Sequence, residues 1–247
     1  MRVRVVTVDF WGTLLFDGPG SDERYRRARL ADFARILDAA GVRVEPAALE
    51  RAYERSGDYL ASVWRELRDV PVTEHVRAVL AGVDPRLPER LSPPVIDELV
   101  EAYARPALLV PPAVDPAARQ ALEALRGWGL RLAVVSNTMR TPGRALRRLL
   151  AHYGLLACFD VTVFSDEVGV RKPAPEIFQH ALRAVGGEPE TAVHVGDDPV
   201  LDVRGARAAG LRVIQVSAQP ADAAPAPDAV IPDLAALPET LRALERD

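Results

Sequence analysis

A chain of 247 residues that is 49% hydrophobic, 27% charged and carries a net charge of −4 has room for one large domain, or for a domain with a smaller one inserted. That make-up excludes a disordered chain and argues against a general nucleic-acid surface. No apolar run approaches the roughly 18–20 residues that cross a bilayer, and the start shows no signal-peptide layout, so the expectation is a cytoplasmic protein with no membrane partner. In chain order, the β-branched run at residues 3–8 predicts a first strand. From about 17 to 109 the apolar spacing is helical, as in Tyr25, Leu30, Phe33, Ile36 and Leu37, then Leu49, Ala52, Tyr53, Leu60, Val63 and Trp64, with no convincing strand. Asp-Gly-Pro-Gly at 17–20 and the proline-rich stretch at 106–112 read as hinges around it. Strand-like runs then return at 130–136, 161–165, 192–196 and 211–216. They alternate with helical segments at 116–127, 141–153, 175–185 and 199–209, and Gly129, Gly154, Gly186 and Gly210 stand as stops. An Ala/Pro-rich loop at 218–228, a short strand near 229–231 and a helix near 238–246 complete the pattern. Strands alternating with helices predict an α/β protein: a Rossmann-like, doubly wound parallel sheet formed by residues 1–16 and 110–247, with an α-helical domain inserted at 17–109.

Cysteine and lysine usage narrows the chemistry. The lone Cys158, set in Leu-Leu-Ala-Cys-Phe, leaves no partner for an internal disulfide and no cysteine cluster for zinc, and is expected to be buried. Of 31 Lys and Arg residues the only lysine is Lys172, a compact ammonium kept in a chain that otherwise uses the broad guanidinium fork. Ligands of an open parallel sheet sit beyond the carboxyl ends of its strands, and each of those ends carries polar residues. The first delivers Asp9, Gly12 and Thr13. The second delivers Ser136 and Asn137. Arg171-Lys172-Pro173 follows the third, and the fourth ends in Asp197-Asp198 with Asp202 just beyond. Carboxylates brought that close repel one another unless a cation sits among them, and Mg²⁺, with its preference for oxygen ligands, suits the set.

Four stretches, Asp9-Phe-Trp-Gly-Thr-Leu, Val-Val-Ser136-Asn-Thr, Val-Gly-Val-Arg-Lys172-Pro-Ala-Pro-Glu-Ile-Phe and Val-Gly-Asp197-Asp-Pro-Val-Leu-Asp202-Val-Arg-Gly-Ala-Arg-Ala-Ala-Gly, resemble in order and spacing the motifs of the haloacid dehalogenase-like (HAD) hydrolase superfamily. The helical insertion after the first motif resembles that family's C1-type cap. The resemblance implies that Asp9 is a carboxylate nucleophile forming an aspartyl-phosphate. Ser136, with Asn137 and Thr13, would contact the phosphoryl group, and Lys172 would neutralise charge on it. Mg²⁺ would be held by Asp9, Asp197 and the backbone carbonyl of Trp11, with Asp202 and Asp198 supporting the metal and lysine from behind. The substrate so implied is a small phosphorylated molecule. Asp198 is equally readable as a helix cap for the segment from Pro199, and His194 as a core histidine.

Trp11 departs from that pattern. HAD phosphatases normally place an aspartate there as general acid and base, and an indole cannot shuttle a proton, a loss worth about 10²–10⁴ in rate. Three readings stand: a Mg²⁺-dependent phosphohydrolase restricted to good leaving groups such as acyl or aryl phosphates, a metal-independent 2-haloacid dehalogenase whose halide leaves unprotonated, or a non-catalytic phosphate- or metabolite-binding protein. Asp17 is a possible stand-in acid. Arg24, Arg26, Arg27, Arg29, Arg51 and Arg55 of the insertion are expected on a solvated, salt-bridged face, and Tyr25, Tyr59 and Trp64 either pack a core or line the pocket.

Overall fold

The computed structural model describes residues 2–218 and 225–246. Among these residues the chain forms eight strands: β1 (Val5–Val8), β2 (Leu15–Phe16), β3 (Ala113–Val114), β4 (Arg131–Ser136), β5 (Val161–Phe164), β6 (Ala192–Gly196), β7 (Arg212–Val216) and β8 (Ala229–Ile231). Six of them make one parallel sheet in the order β5-β4-β1-β6-β7-β8. β1 lies at its centre, with Val5–Val8 in register with Arg131–Val134 on one side and Ala192–Val195 on the other. Its residues Val-Val-Thr-Val are all buried, the continuous apolar run expected of a strand covered on both faces. Alternate residues feed two cores. Val6 and Val8 pack with helices α7 (Ala118–Gly127), α8 (Gly143–His152) and α12 (Leu237–Arg246), and Val5 packs with α10 (Pro175–Val185) and α11 (Gly205–Ala208). A one-turn helix, α9 (Ser165–Val168), follows β5.

The chain leaves β1 on one side of the sheet toward β4 and returns on the other through β6. That reversal of direction puts a crevice at the carboxyl ends of β4, β1 and β6, where an open α/β sheet binds its ligands.

Between β2 and β3 run only helices: α1 (Ser21–Ala39), α2 (Pro46–Arg65), α3 (Val72–Val83), the short α4 (Leu87–Arg90), α5 (Pro93–Ala104) and α6 (Pro106–Leu109). Proline opens α2 and α5, where its missing N–H costs nothing and its fixed φ suits a first turn. Phe33, Ile36, Leu37, Leu49, Ala52, Val76, Leu80, Leu99 and Tyr103 bury one another in a core separate from the two beneath the sheet. None of the described helices is long and apolar enough to cross a membrane.

Two features depart from the sequence reading. The entry and exit of the helical segment are joined by the antiparallel ribbon β2–β3, Leu15 opposite Val114 and Phe16 opposite Ala113; two-residue strands are too short to show a period. The helix expected over 199–209 begins as a π-helix, Pro199–Arg204, before α11. Its widened turn is visible in the Asp198 carbonyl, which accepts from both Asp202 N at 3.0 Å and Val203 N at 3.1 Å, and such turns cluster at functional sites. The loop expected at 218–228 falls partly on residues 219–224, which lie outside the described residues.

Candidate active site

Asp9 is the first residue past β1 and is buried. The turn that follows it needs Gly12: its φ is +78°, and a Cβ there would collide with the Asp197 carboxylate. Gly196, the last residue of β6, is held to glycine in the same way by the Asp202 side chain. The two glycines let the carboxylates of three chain segments converge. Oxygens of Asp9, Asp197 and Asp202 all lie within 4.8 Å of one another.

Lys172 sits among them. Its Nζ donates to Asp9 Oδ1 and, at 2.6 Å, to Asp202 Oδ1, with the side chain only 2% exposed. Asp202 is saturated: the same oxygen meets His194 Nε2 at 2.9 Å, and Oδ2 accepts from Asp198 N at 3.0 Å. Thr7 Oγ1, 2.8 Å from His194 Nδ1, completes the chain of contacts behind the lysine. Burial works against the Asp202 carboxylate, but Lys172 and His194 hold it well below the usual range. Burial pushes His194 down. For Lys172, burial is outweighed by Asp202 and Asp9, and its pKa rises.

The other two acids are less well satisfied. Burial pushes Asp9 up to about 7 against the pull of Lys172, with Asp202 adding to the rise. Asp197 is pushed to about 6 by burial and then by Asp202. Three carboxylates around one ammonium form an all-oxygen, charge-deficient site, the donor set a hard divalent cation completes. The residues therefore fit Mg²⁺, with Asp9 and Asp197 as the acids not already committed to partners on both oxygens.

Asn137 holds the lysine in place. Its Oδ1 accepts Lys172 N at 2.7 Å and its Nδ2 donates to Lys172 O at 3.0 Å. Ser136, at the end of β4 and 1% exposed, makes only a 3.3 Å bond to the Asn137 carbonyl, leaving its hydroxyl available to a ligand.

Asp9, Ser136, Asn137, Lys172 and Asp197 share a cavity of about 880 Å³ roofed by the helical segment. Trp11 forms part of its wall, its ring edge-on to Phe10 at 4.9 Å. Trp64 and Tyr53 of α2 and Tyr25 of α1 line it as well. So does the exposed Asp17, which accepts the Tyr25 hydroxyl at 3.0 Å and whose pKa is raised, chiefly by partial desolvation.

Two groups tie the helical segment to the sheet side. Asp69, between α2 and α3, accepts Ser165 Oγ at 2.5 Å and Arg171 Nη1 at 3.1 Å, while Arg171 stacks over Trp64 at 4.4 Å. The second is a reciprocal exchange of arginines. Arg29 of α1 donates to Arg140 O at 3.0 Å and Thr141 Oγ1 at 3.4 Å. Arg140, from the loop after β4, donates to Tyr103 Oη at 2.9 Å, Ser56 Oγ at 3.2 Å and Tyr53 O at 3.3 Å, and its guanidinium lies 4.1 Å over the Tyr53 ring.

With that geometry, the family model for haloacid dehalogenase-like hydrolases matches residues 3–210. The chain belongs to the haloacid dehalogenase-like hydrolases. It is 32% identical over 224 residues to the human haloacid dehalogenase-like hydrolase domain-containing protein 3, covering 85% of this chain and 80% of that one. It is 40% identical over 139 residues to a phosphoserine phosphatase of Thermus thermophilus, covering 56% of this chain and 54%, about half, of that relative. Among solved structures, a 2-haloacid dehalogenase of Pseudomonas syringae superposes with a TM-score of 0.71 at 26% identity, over 98% of this chain and 99% of that one.

Several residues of this HAD-like hydrolase sit differently from the sequence reading. Thr13, expected to touch substrate, is fully buried and donates to Asp197 Oδ1 at 3.4 Å, so it positions the acid. Asn137 lines the cavity as expected, with its Oδ1 and one Nδ2 hydrogen engaged by the Lys172 backbone. Asp198, read equally as a support for metal or lysine and as a helix cap, is the cap: its Oδ1 accepts from Val200 N and Leu201 N at 2.7 Å each, and it reaches Asp202 through its backbone N–H. Arg29 is not on the solvated face: it is 3% exposed, whereas Arg26 and Arg27 pair with Glu23 as expected. Tyr59 is exposed, unlike Tyr25 and Trp64. Cys158 and His194 are buried. The sequence reading missed Asp69 and Arg140, and placed Arg171 at a strand end without its partners. For Arg140 the available signal was its place four residues after Ser136 on the same strand-end loop.

Proposed function

We propose that this protein is a Mg²⁺-dependent phosphohydrolase acting on a small phosphorylated substrate through an aspartyl-phosphate on Asp9. The observation that carries the reading is the convergence of Asp9, Asp197 and Asp202 on one another, with Asp9 and Asp202 both paired to the single buried lysine. In this reading an Asp9 oxygen attacks phosphorus, and the bond from phosphorus to the leaving oxygen breaks with its electron pair going to that oxygen. Lys172 neutralises charge on Asp9 and on the phosphoryl group as it transfers, and the Ser136 hydroxyl donates to a phosphoryl oxygen. Water then attacks phosphorus and the Asp9–phosphorus bond breaks, so the carboxylate is regenerated and the water's proton leaves with phosphate or solvent. Asp9, Asp197 and the Trp11 carbonyl would hold Mg²⁺, which when bound supplies positive charge against the two carboxylates and the phosphoryl oxygens.

Trp11 then selects the substrate's leaving group. With no carboxylic acid at that position, the leaving oxygen departs unprotonated, which favours acyl and aryl phosphates over alkyl ones. The helices between β2 and β3 would act as a cap, excluding water and supplying the aromatic wall of the cavity. Asp198 stays outside the chemistry as the cap of the π-turn that carries Asp202.

Phosphate release from a panel of acyl, aryl and alkyl phosphates, each with Mg²⁺ and with EDTA, tests this. Metal-dependent release ranked by leaving group supports it; no release from any member sinks it. Trp11 and the likeness to a solved 2-haloacid dehalogenase favour a second reading, displacement of halide by Asp9. Halide release from 2-haloacids in EDTA would select that one. Three crowded carboxylates oppose it, since they repel a carboxylate substrate. Ligand binding with no turnover of either kind would leave a non-catalytic binding protein.

A further inference from the structure

Most cations around the cavity have acids as partners. Arg26 pairs with Glu23 and Glu54, Arg171 with Asp69, and Lys172 with Asp9 and Asp202. Arg29 and Arg140 do not. Both line the cavity, and among the described residues neither makes an ion pair. Their partners are all neutral: for Arg29, the Tyr103 and Arg140 carbonyls, the Tyr53 hydroxyl and Thr141; for Arg140, Ser56, the Tyr103 hydroxyl and the Tyr53 carbonyl. Asp17 shares the wall but is taken by Tyr25.

A guanidinium withdrawn from water without a counter-charge is costly, and here the buried Arg29 stands beside the half-buried Arg140, joined to it through the Arg140 carbonyl. Their combined field is felt by a neighbour: His75 is driven down to about 3, first by burial and then by Arg140 and Arg29. The aromatic rings under them, Tyr103 at 4.8 Å from Arg29 and Tyr53 at 4.1 Å from Arg140, fix the planes of the two forks without neutralising them. Planar forks held rigid on a cavity wall are suited to a carboxylate or phosphate oxyanion.

We infer that Arg29 and Arg140 form a second anion-binding subsite in the cavity that holds Asp9, so that the substrate is a phosphate ester or acyl phosphate bearing a second oxyanion, a carboxylate or another phosphate, on the body attached to the phosphoryl group. The inference rests on the phosphohydrolase reading for its substrate class, but the subsite itself needs only binding. Arg140 donates from the sheet side and Arg29 from the helical side, so one anion would engage both and reward closure over it. These arginines act as binding and specificity residues and take no part in bond-making at phosphorus.

The test compares 3-phosphoglycerate with glycerol 3-phosphate, which share a primary phosphate ester and differ by a carboxylate in place of a hydroxymethyl group. A propane-1,3-diol bisphosphate arm asks for phosphate as the second anion. The readout is the ratio of kcat/KM values on one enzyme preparation with Mg²⁺, which cancels any difference in folded fraction. The expected ratio favours the doubly anionic compound by about tenfold or more, the worth of one or two charge-assisted hydrogen bonds. It should fall to near one in Arg140→Gln and in Arg29→Met. Preference for the carboxylate or for the bisphosphate tells which oxyanion the forks take. A ratio near one in the native protein for both, or a preference that survives in both variants, overturns the subsite. If neither of these alkyl esters is turned over, that agrees with the preference for acyl and aryl leaving groups, and the phosphohydrolase reading is decided by the panel of acyl, aryl and alkyl phosphates instead. Calorimetric dissociation constants for the same compounds, on the native protein and the same variants, then decide the subsite by the same ratio.

Discussion

Two charge clusters lie on the walls of one cavity, and they are built in opposite ways. Around Lys172, three carboxylates crowd a single ammonium, and every polar atom of Asp202 is committed to Lys172, His194 or the Asp198 amide. Around Arg29 and Arg140 there are two cations and, among the described residues, no acid paired with either; Asp17 acts on Arg29 only through space, and the hydrogen bonds are all to neutral oxygens. The first cluster is short of positive charge, which shows in Asp9 and Asp197 being pushed to about 7 and about 6. The second is short of negative charge, and Arg140 and Arg29 add to the burial that already depresses His75. The contrast teaches that burial in this cavity is tolerated with the charge unbalanced in both directions, as expected where a ligand and a cation supply the balance rather than the protein itself.

The comparison can be broken most severely at the acid cluster. Asp9→Asn removes the proposed nucleophile and should cost about 10⁴ or more in turnover, read as phosphate release; unchanged activity would mean that Asp9 is not the attacking group. Lys172→Met should cost about 10³ in kcat, since it removes the cation that the transition state relies on. It should also destabilise the fold by about 3–5 kcal/mol because Asp202 is left as an uncompensated buried carboxylate, and a urea titration of the variant reads that part.

The arginine cluster makes a prediction in pH. Burial first, and then Arg140 and Arg29, hold the His75 pKa down at about 3, below the ordinary 6.5. A group depressed in this way favours folding fully above pH 6.5, and the contribution is lost as pH falls from 6.5 toward 3, because the unfolded chain takes up the proton first. Between pH 7 and pH 4 the native protein should lose about 3 kcal/mol from this residue. His75→Gln should lose that much less over the same range, as seen in denaturant midpoints at the two pH values.

Smaller effects sharpen the picture. Trp11→Asp restores a carboxylic acid where the leaving group departs and should raise turnover of alkyl phosphates by about 10² while changing acyl phosphates little; a steady-state comparison of the two classes reads it. Asn137→Ala removes both clamps on the Lys172 backbone, two hydrogen bonds worth about 1 kcal/mol each. It should lower kcat by about tenfold with KM little changed.

Particular residues show how much of this was legible in the chain. The strands at 192–196 and 229–231 and the helix at 175–185 were readable to the residue, because the first is buried throughout and reads as a short valine-rich run, the second is a short apolar run after a loop, and Pro175 and Gly186 mark the helix ends. Asp9, Lys172, Asp197 and Asp202 could be gathered from sequence since each stands at or near a strand end, and parallel strands send those ends to one side. What stayed hidden depends on contacts between distant segments. Asp69 comes within reach of Ser165 and Arg171 only when the α2–α3 turn folds down onto the sheet side. Arg29 looks in sequence like its neighbours Arg26 and Arg27, one of several arginines on a helix; only the packing of α1 against α5 and the loop after β4 turns it inward. Thr13 and Asn137 were readable as members of the site. Their hydrogen-bond partners were not, because a side chain's choice between ligand and backbone is settled by its surroundings.

The account rests on a phosphoryl group passing through the Asp9 carboxylate, and rapid mixing of the protein with an acyl phosphate and Mg²⁺, quenched in acid and followed by peptide mass spectrometry, examines that step directly. The account predicts a transient peptide heavier by one phosphoryl group, with the modification on Asp9, that appears before free phosphate accumulates and is absent in EDTA. Phosphate released at the full rate while the Asp9 peptide stays unmodified at every quench time would contradict it.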